Sequence, residues 1–143
     1  MSLVLGMLAL TSLTSGAVPN ADASPSTAAA QPGVHQVEVA SAARSWLELG
    51  DESSWEDGWR ATAASFRQAN TAERWAEVAA KVRGPLGAVR SRTLLSQDSV
   101  PAPPAGVEVV KFRTDFANKA GAVETVSLVR EDGTWKVVGI YLD

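Results

Sequence analysis

The chain contains no cysteine, one histidine (His35) and one tyrosine (Tyr141) among 143 residues. Without thiols there is no disulfide scaffold, thiolate nucleophile, cysteine-based zinc site or acylated-cysteine anchor. A lone imidazole leaves Ser-His-Asp catalysis and multi-histidine metal binding short of parts, so neither metal nor cofactor is expected. Basic residues are also few, 13 against 16 acidic ones, for a formal net charge of −3. Nucleic acid is therefore not expected as a partner, because phosphate binding needs a concentrated positive surface.

Long hydrophobic runs are missing too. The most apolar stretch, Leu3–Leu13, would form a helix of roughly 16 Å against a hydrocarbon core of about 30 Å, so no membrane span is expected. Gly16, Pro19 and the small residues Ala21-Asp22-Ala23-Ser24 follow it, the order of a secretory apolar region and its cleavage site, although no basic residue precedes it. Residues 1–23 are thus expected to be a signal peptide. Residues 24–33 read as a disordered linker of Ala, Ser and Pro with too little apolar surface to offset its ordering entropy. Residues 34–143 form the single expected domain, long enough for a core without crosslinks. The expected location is outside the cytoplasm, periplasmic or secreted.

Within the domain the apolar period first fits helices. Val39, Ala42, Ala43, Trp46, Leu47 and Gly50 predict a helix over residues 34–49. Ser53 three positions before Glu56 predicts a capping box, with Trp55, Trp59, Ala63 and Phe66 as the stripe of a second helix. Asn70 and Glu73 repeat the capping signal ahead of Trp75, Val78, Ala79 and Val82, and Gly84-Pro85 ends the third helix. The Trp residues at these positions are read as core rather than as an aromatic cage for a cation.

The period then changes to two over residues 88–95, 107–116, 122–130 and 134–142, predicting four strands. Asp132-Gly133 marks a tight hairpin, and Pro101–Gly106 is a loop rich in breakers. Helices followed by strands predict an α+β domain, three N-terminal helices packed on a curved four-stranded antiparallel sheet. With a loop over residues 117–121, Phe112 is expected opposite Val126, Val110 opposite Leu128, Thr114 opposite Glu124 and Glu108 opposite Arg130. The last hairpin is expected to set Leu128 against Val137, Val126 against Gly139 and Glu124 against Tyr141. Phe112, Phe116, Val126, Leu128, Trp135 and Val137 then face the helices, while Lys111, Arg113, Ser127 and Lys136 face outward.

That register places Thr114, Glu124 and Tyr141 in a polar row on the apolar face. A buried carboxylate is costly unless paired or hydrated, so the row has two readings. One is a pocket with apolar walls and a few converging polar groups, its ligand-binding residues Arg92, Thr114, Glu124 and Tyr141. The other is a structural ion pair between Glu124 and Arg92, which requires Arg90, Arg92 and Leu94 rather than Val89, Ser91, Thr93 and Leu95 to point inward. Asp51, Glu52, Glu56 and Asp57 do not match a calcium loop and read as acids at a helix start. His35 adjoins the linker in no apolar context.

The order Trp46-Leu47, Trp55, Trp59, Phe66, Trp75, Arg83-Gly84-Pro85-Leu86-Gly87, Ser91-Arg92, Phe116-x-Asn118-Lys119, Glu124-Thr125-Val126 and Asp132-Gly133-x-Trp135-x-Val137-x-Gly139-x-Tyr141 resembles the bacterial envelope family called domain of unknown function 4019. The resemblance spans about Val39 to Leu142. It implies a cystatin-like or nuclear-transport-factor-2-like cone and an exported protein, and it carries over no activity and no catalytic residue. The expectation is a non-catalytic envelope module binding a small apolar ligand or a protein partner, as a monomer or a homodimer. The alternative is an isomerase- or dehydratase-like enzyme, since cones of this type host ketosteroid isomerase chemistry, with Glu124 as base and Tyr141 as donor.

Overall fold

The computed structural model describes residues 32–143, so the expected signal peptide and most of the expected linker lie outside the described residues. In chain order the elements are α1 (Pro32–Asp51), α2 (Trp55–Arg60), α3 (Ala64–Ala69), α4 (Ala72–Arg83), a single 3-10 turn (Gly84–Leu86), β1 (Val89–Val100), β2 (Val107–Phe116), β3 (Lys119–Glu131) and β4 (Thr134–Leu142). The strands form one open antiparallel sheet in the order β1-β2-β3-β4. The helices pack against it, giving the α+β arrangement. Among the described residues no helix is long and apolar enough to cross a membrane.

Helix α1 follows its apolar period. Val39, Ala43, Trp46 and Leu47 recur at i, i+4, i+7 and i+8 and are buried against Val110, Phe112, Val126, Leu128 and Val137 of the sheet. Phe112 and Leu128 are fully enclosed, and each such side chain contributes about 1.5–3 kcal/mol by leaving water.

The expected second helix is in fact two short helices. The break at Ala61–Ala63 has a clear cause: Ala63 is extended and donates its N–H to the Val137 carbonyl at 2.8 Å, while Thr62 bridges Val137 in parallel. The chain gives up helical bonds there to cover part of the β4 edge, which would otherwise present unpaired backbone groups. The expected capping boxes also differ. Ser53 takes a positive φ of 59°, and the cap of α2 is Ser54 without a side-chain bond. Thr71, not Asn70, caps α4 by accepting from the Arg74 N–H, whereas Asn70 closes α3 and its carbonyl accepts from Trp59 Nε1. Asp51 belongs to the end of α1 rather than to a helix start.

The Asp132-Gly133 hairpin forms as expected, with φ of 51° and 76°. The β2–β3 connection is shorter than the expected loop, because β3 begins at Lys119. The pairing is therefore displaced by two residues: Val110 faces Val126, Phe112 faces Glu124, Thr114 faces Ala122 and Glu108 faces Leu128. A displacement of two preserves faces, so Phe112, Phe116, Val126 and Leu128 are buried as expected.

In β4 the displacement is one residue and the outcome is different. Leu128 faces Val137 as expected, but the register shifts between Ser127 and Leu128, leaving Val138 as a bulge. Beyond it Val126 faces Ile140, Thr125 faces Tyr141 and Glu124 faces Leu142. An extra residue in one strand inverts every side chain that follows it. Ile140 and Leu142 turn toward the helices, and Tyr141 goes to the far side of the sheet with Thr125.

Candidate functional site

Arg92 lies inward on β1, opposite Thr114, because the β1–β2 register places Arg92, Leu94, Phe112 and Thr114 on one face. Its side chain is 4 % exposed. The guanidinium fork meets a carboxylate on each side. Nε donates to Glu124 Oε1 at 2.8 Å and Nη2 to Oε2 at 3.3 Å, while Nη1 and Nη2 donate to Asp51 Oδ2 and Oδ1 at 2.7 and 3.0 Å. The Thr114 hydroxyl adds a short hydrogen bond to Glu124 Oε1. Arg83, from the last turn of α4, donates to Asp51 Oδ1 at 2.8 Å and lies over the Phe116 ring at 4.4 Å. Two cations and two anions thus tie α1, α4, β1 and β3 together with no net charge.

Burial by itself disfavours the Arg92 cation, but the hydrogen bonds and charges of Asp51 and Glu124 outweigh it and hold the guanidinium far above its ordinary pKa. Arg92 is therefore a fixed positive charge. Glu124, 2 % exposed, accepts from Arg92 at both oxygens and from Thr114 at Oε1, which fixes the carboxylate in place.

The structure thus brings together three of the four candidate residues, Arg92, Thr114 and Glu124. Tyr141 does not join their hydrogen bonds: it is 65 % exposed and stands opposite Thr125, and with Glu124 it borders the cavity beside the cluster. The Glu124–Tyr141 pairing is corrected by the Val138 bulge.

Beside the cluster is a cavity of about 310 Å³. Trp46, Leu47 and Gly50 of α1, Trp55 and Gly58 of α2, and Trp75, Val78, Ala79 and Val82 of α4 form most of its wall, with Ile140–Leu142 of β4 completing it. Arg83 and Glu124 are its charged lining residues. The size and the mainly apolar lining are those of small-molecule sites. Trp residues shape it in two ways. Trp46 is held by an Nε1–H bond of 2.9 Å to the Gly58 carbonyl, and Trp75 packs against Trp46 and Phe66 with ring centroids 5.7 and 5.5 Å apart.

Two partners in this region, Asp51 and Arg83, were not legible as such. Asp51 did carry a signal: an acid in the last turn of a helix opposes the helix dipole and is better placed with a cation from elsewhere in the fold. A second polar group was also missed. Glu108 accepts from Ser99 Oγ at 2.6 Å, lies 3.3 Å from His35 Nε2, and is reached by Gln97 Nε2 at 3.5 Å. His35 in turn sits edge-on to Trp135 at 5.3 Å, fastening the first turn of α1 to the sheet. Burial raises the Glu108 carboxyl pKa, but these hydrogen bonds and the His35 charge more than compensate and hold it below its ordinary value. Among the described residues there is no group of three or more metal-ligating side chains.

Comparison with known proteins returns no curated protein that matches. A family described as a protein of unknown function (DUF4019), however, matches residues 42–140, the stretch that runs from the core-facing turn of α1 through both carboxylates of the cluster to Ile140 in the cavity wall, and the chain belongs to that family.

Proposed function

We propose that the protein is a non-catalytic binding module of the bacterial envelope, exported by its N-terminal segment and holding a small apolar ligand in the cavity between α1, α2, α4 and β4. The observation that carries this reading is the contrast within the cavity lining: aromatic and aliphatic walls beside a carboxylate whose two oxygens both accept from Arg92 and one also from Thr114. Such a lining favours burial of apolar surface over proton transfer. Export is supported by the apolar segment Leu3–Leu13 followed by Ala21-Asp22-Ala23. The fold reading that accompanies it is a cystatin-like or nuclear-transport-factor-2-like cone, supported by helices laid across one face of a four-stranded antiparallel sheet.

The isomerase-like alternative needs Glu124 and Tyr141 side by side as base and donor, and it loses support because Tyr141 pairs with Thr125 rather than Glu124, while Glu124 is held by Arg92 and Thr114. A protein partner is the second reading, favoured by the exposed Val78 and Val82 among the lining residues.

The test is native mass spectrometry of the full chain purified from a bacterial envelope, followed by titration with 1-anilinonaphthalene-8-sulfonate. A retained small molecule, or saturable dye binding abolished by Val78→Trp at the mouth, is the expected result. A chain with no retained molecule and no saturable dye binding would reject the cavity as a binding site.

A further inference from the structure

The cavity's polar groups say what kind of apolar ligand it takes, an inference that rests on the cavity being a binding site. Two side-chain atoms of lining residues are buried without a hydrogen-bond partner, Trp75 Nε1 and Arg83 Nη1. Both are donors. The carboxylate oxygens of Glu124, the natural acceptors there, are already occupied by Arg92 and Thr114. A buried N–H left unpaired costs the full desolvation of that group, and the cost is removed when a ligand brings an acceptor.

Trp75 Nε1 is the better placed of the two. Arg83 already spends Nη2 on Asp51 and rests its guanidinium on Phe116, whereas the Trp75 indole has no polar partner. Facing it is Gly58, itself part of the cavity wall, where a Cβ would come 3.8 Å from Nε1. Glycine therefore puts no side-chain atom against the indole N–H of Trp75, the one in the cavity wall that is buried without an acceptor.

We propose that the cavity selects an apolar molecule bearing a carbonyl or carboxylate oxygen, which accepts a hydrogen bond from Trp75 Nε1–H beside Gly58, with Arg83 as a second donor further along the same helix.

The test uses the full chain and two neutral probes of matched chain length, nonan-2-one and 1-nonene, each competing with the fluorescent dye. The ketone is expected to bind about tenfold more tightly, the equivalent of one buried hydrogen bond. Trp75→Phe removes the donor and keeps an aromatic ring. Gly58→Ala keeps the donor and covers it; its Cβ meets only an ordinary contact and alanine favours the helix, so the variant folds. Both variants are expected to abolish the ketone's advantage, so that the two probes bind each variant equally. Equal binding of the two probes to the wild-type chain would overturn the acceptor inference and leave the apolar cavity standing. A ketone preference that survives both variants would place the donor elsewhere and also overturn it. Failure of both probes to bind would overturn this inference and the binding-module reading together.

Discussion

Arg92 and Glu124 form a buried pair in which one guanidinium edge meets one carboxylate at 2.8 and 3.3 Å, and the adjoining edge, which shares Nη2, is held by Asp51. The pair is a three-way junction rather than an isolated bridge, and its removal has a specific consequence.

Glu124→Gln keeps the shape of the side chain but leaves the Arg92 cation with Asp51 alone. Breaking a buried pair from one side typically costs about 3–5 kcal/mol, and the remaining Asp51 contact points to the lower end, about 3 kcal/mol. Arg92→Met and Glu124→Leu, made singly and together, complete a cycle with the wild type, and the double variant, which removes both charges, is expected to be more stable than the sum of the two single losses. Urea unfolding of the four proteins measures the coupling. Additive losses would show that the two side chains do not interact.

Glu108 predicts a pH dependence. Its pKa in the folded protein is lower than the ordinary value of 4.5, so the unfolded chain binds the proton more readily. The stabilisation is therefore fully present above about that ordinary value and is lost as pH falls through the folded pKa. Unfolding midpoints of the wild-type chain are expected to fall more steeply below pH 4.5 than those of Glu108→Gln. Asp115, whose carboxylate accepts from the Gly121 N–H and from Ser91, shifts in the same direction and remains in both proteins, so the difference isolates Glu108. Superimposable pH profiles would contradict the hydrogen-bonded carboxylate.

The Val138 bulge predicts which end residues of β4 matter. Tyr141→Ala changes an exposed outer side chain and should lie within about 0.5 kcal/mol of wild type. Ile140→Ala removes a partly buried residue packed on the core and is expected to cost about 1–2 kcal/mol, below the range for full burial. Thermal or urea unfolding that reversed this order would restore the alternation without a bulge.

Two glycines with positive φ separate backbone strain from steric contact. Gly133, at 76°, has nothing within 4 Å of the position that an alanine methyl would take, so Gly133→Ala should cost about 1 kcal/mol from conformation alone. Gly87, at 75°, would place a Cβ 3.0 Å from the Ala117 Cβ and 3.1 Å from the Asn118 amide nitrogen. Gly87→Ala is expected to cost at least about 2 kcal/mol, and equal losses at the two sites in urea unfolding would show that the 3-10 turn simply moves away.

Local sequence pattern is enough to specify the order of helices before strands, the antiparallel sheet, the hairpin at Asp132-Gly133 and most of the inward faces of β2 and β3. These depend on local period and turn chemistry, which neighbouring residues carry. The inward direction of Arg92 stayed open, because both alternations along that strand contain polar residues. Tertiary structure decided what depends on pairing across the chain. The extra residue at Val138 moved Tyr141 away from Glu124; the edge of β4 recruited Thr62 and Ala63 and split a helix; and Asp51, distant in sequence from both, met Arg83 and Arg92. A bulge and a four-residue ionic junction have no local period to betray them, since each is stable only once the surrounding strands and helices have fixed the partners in place.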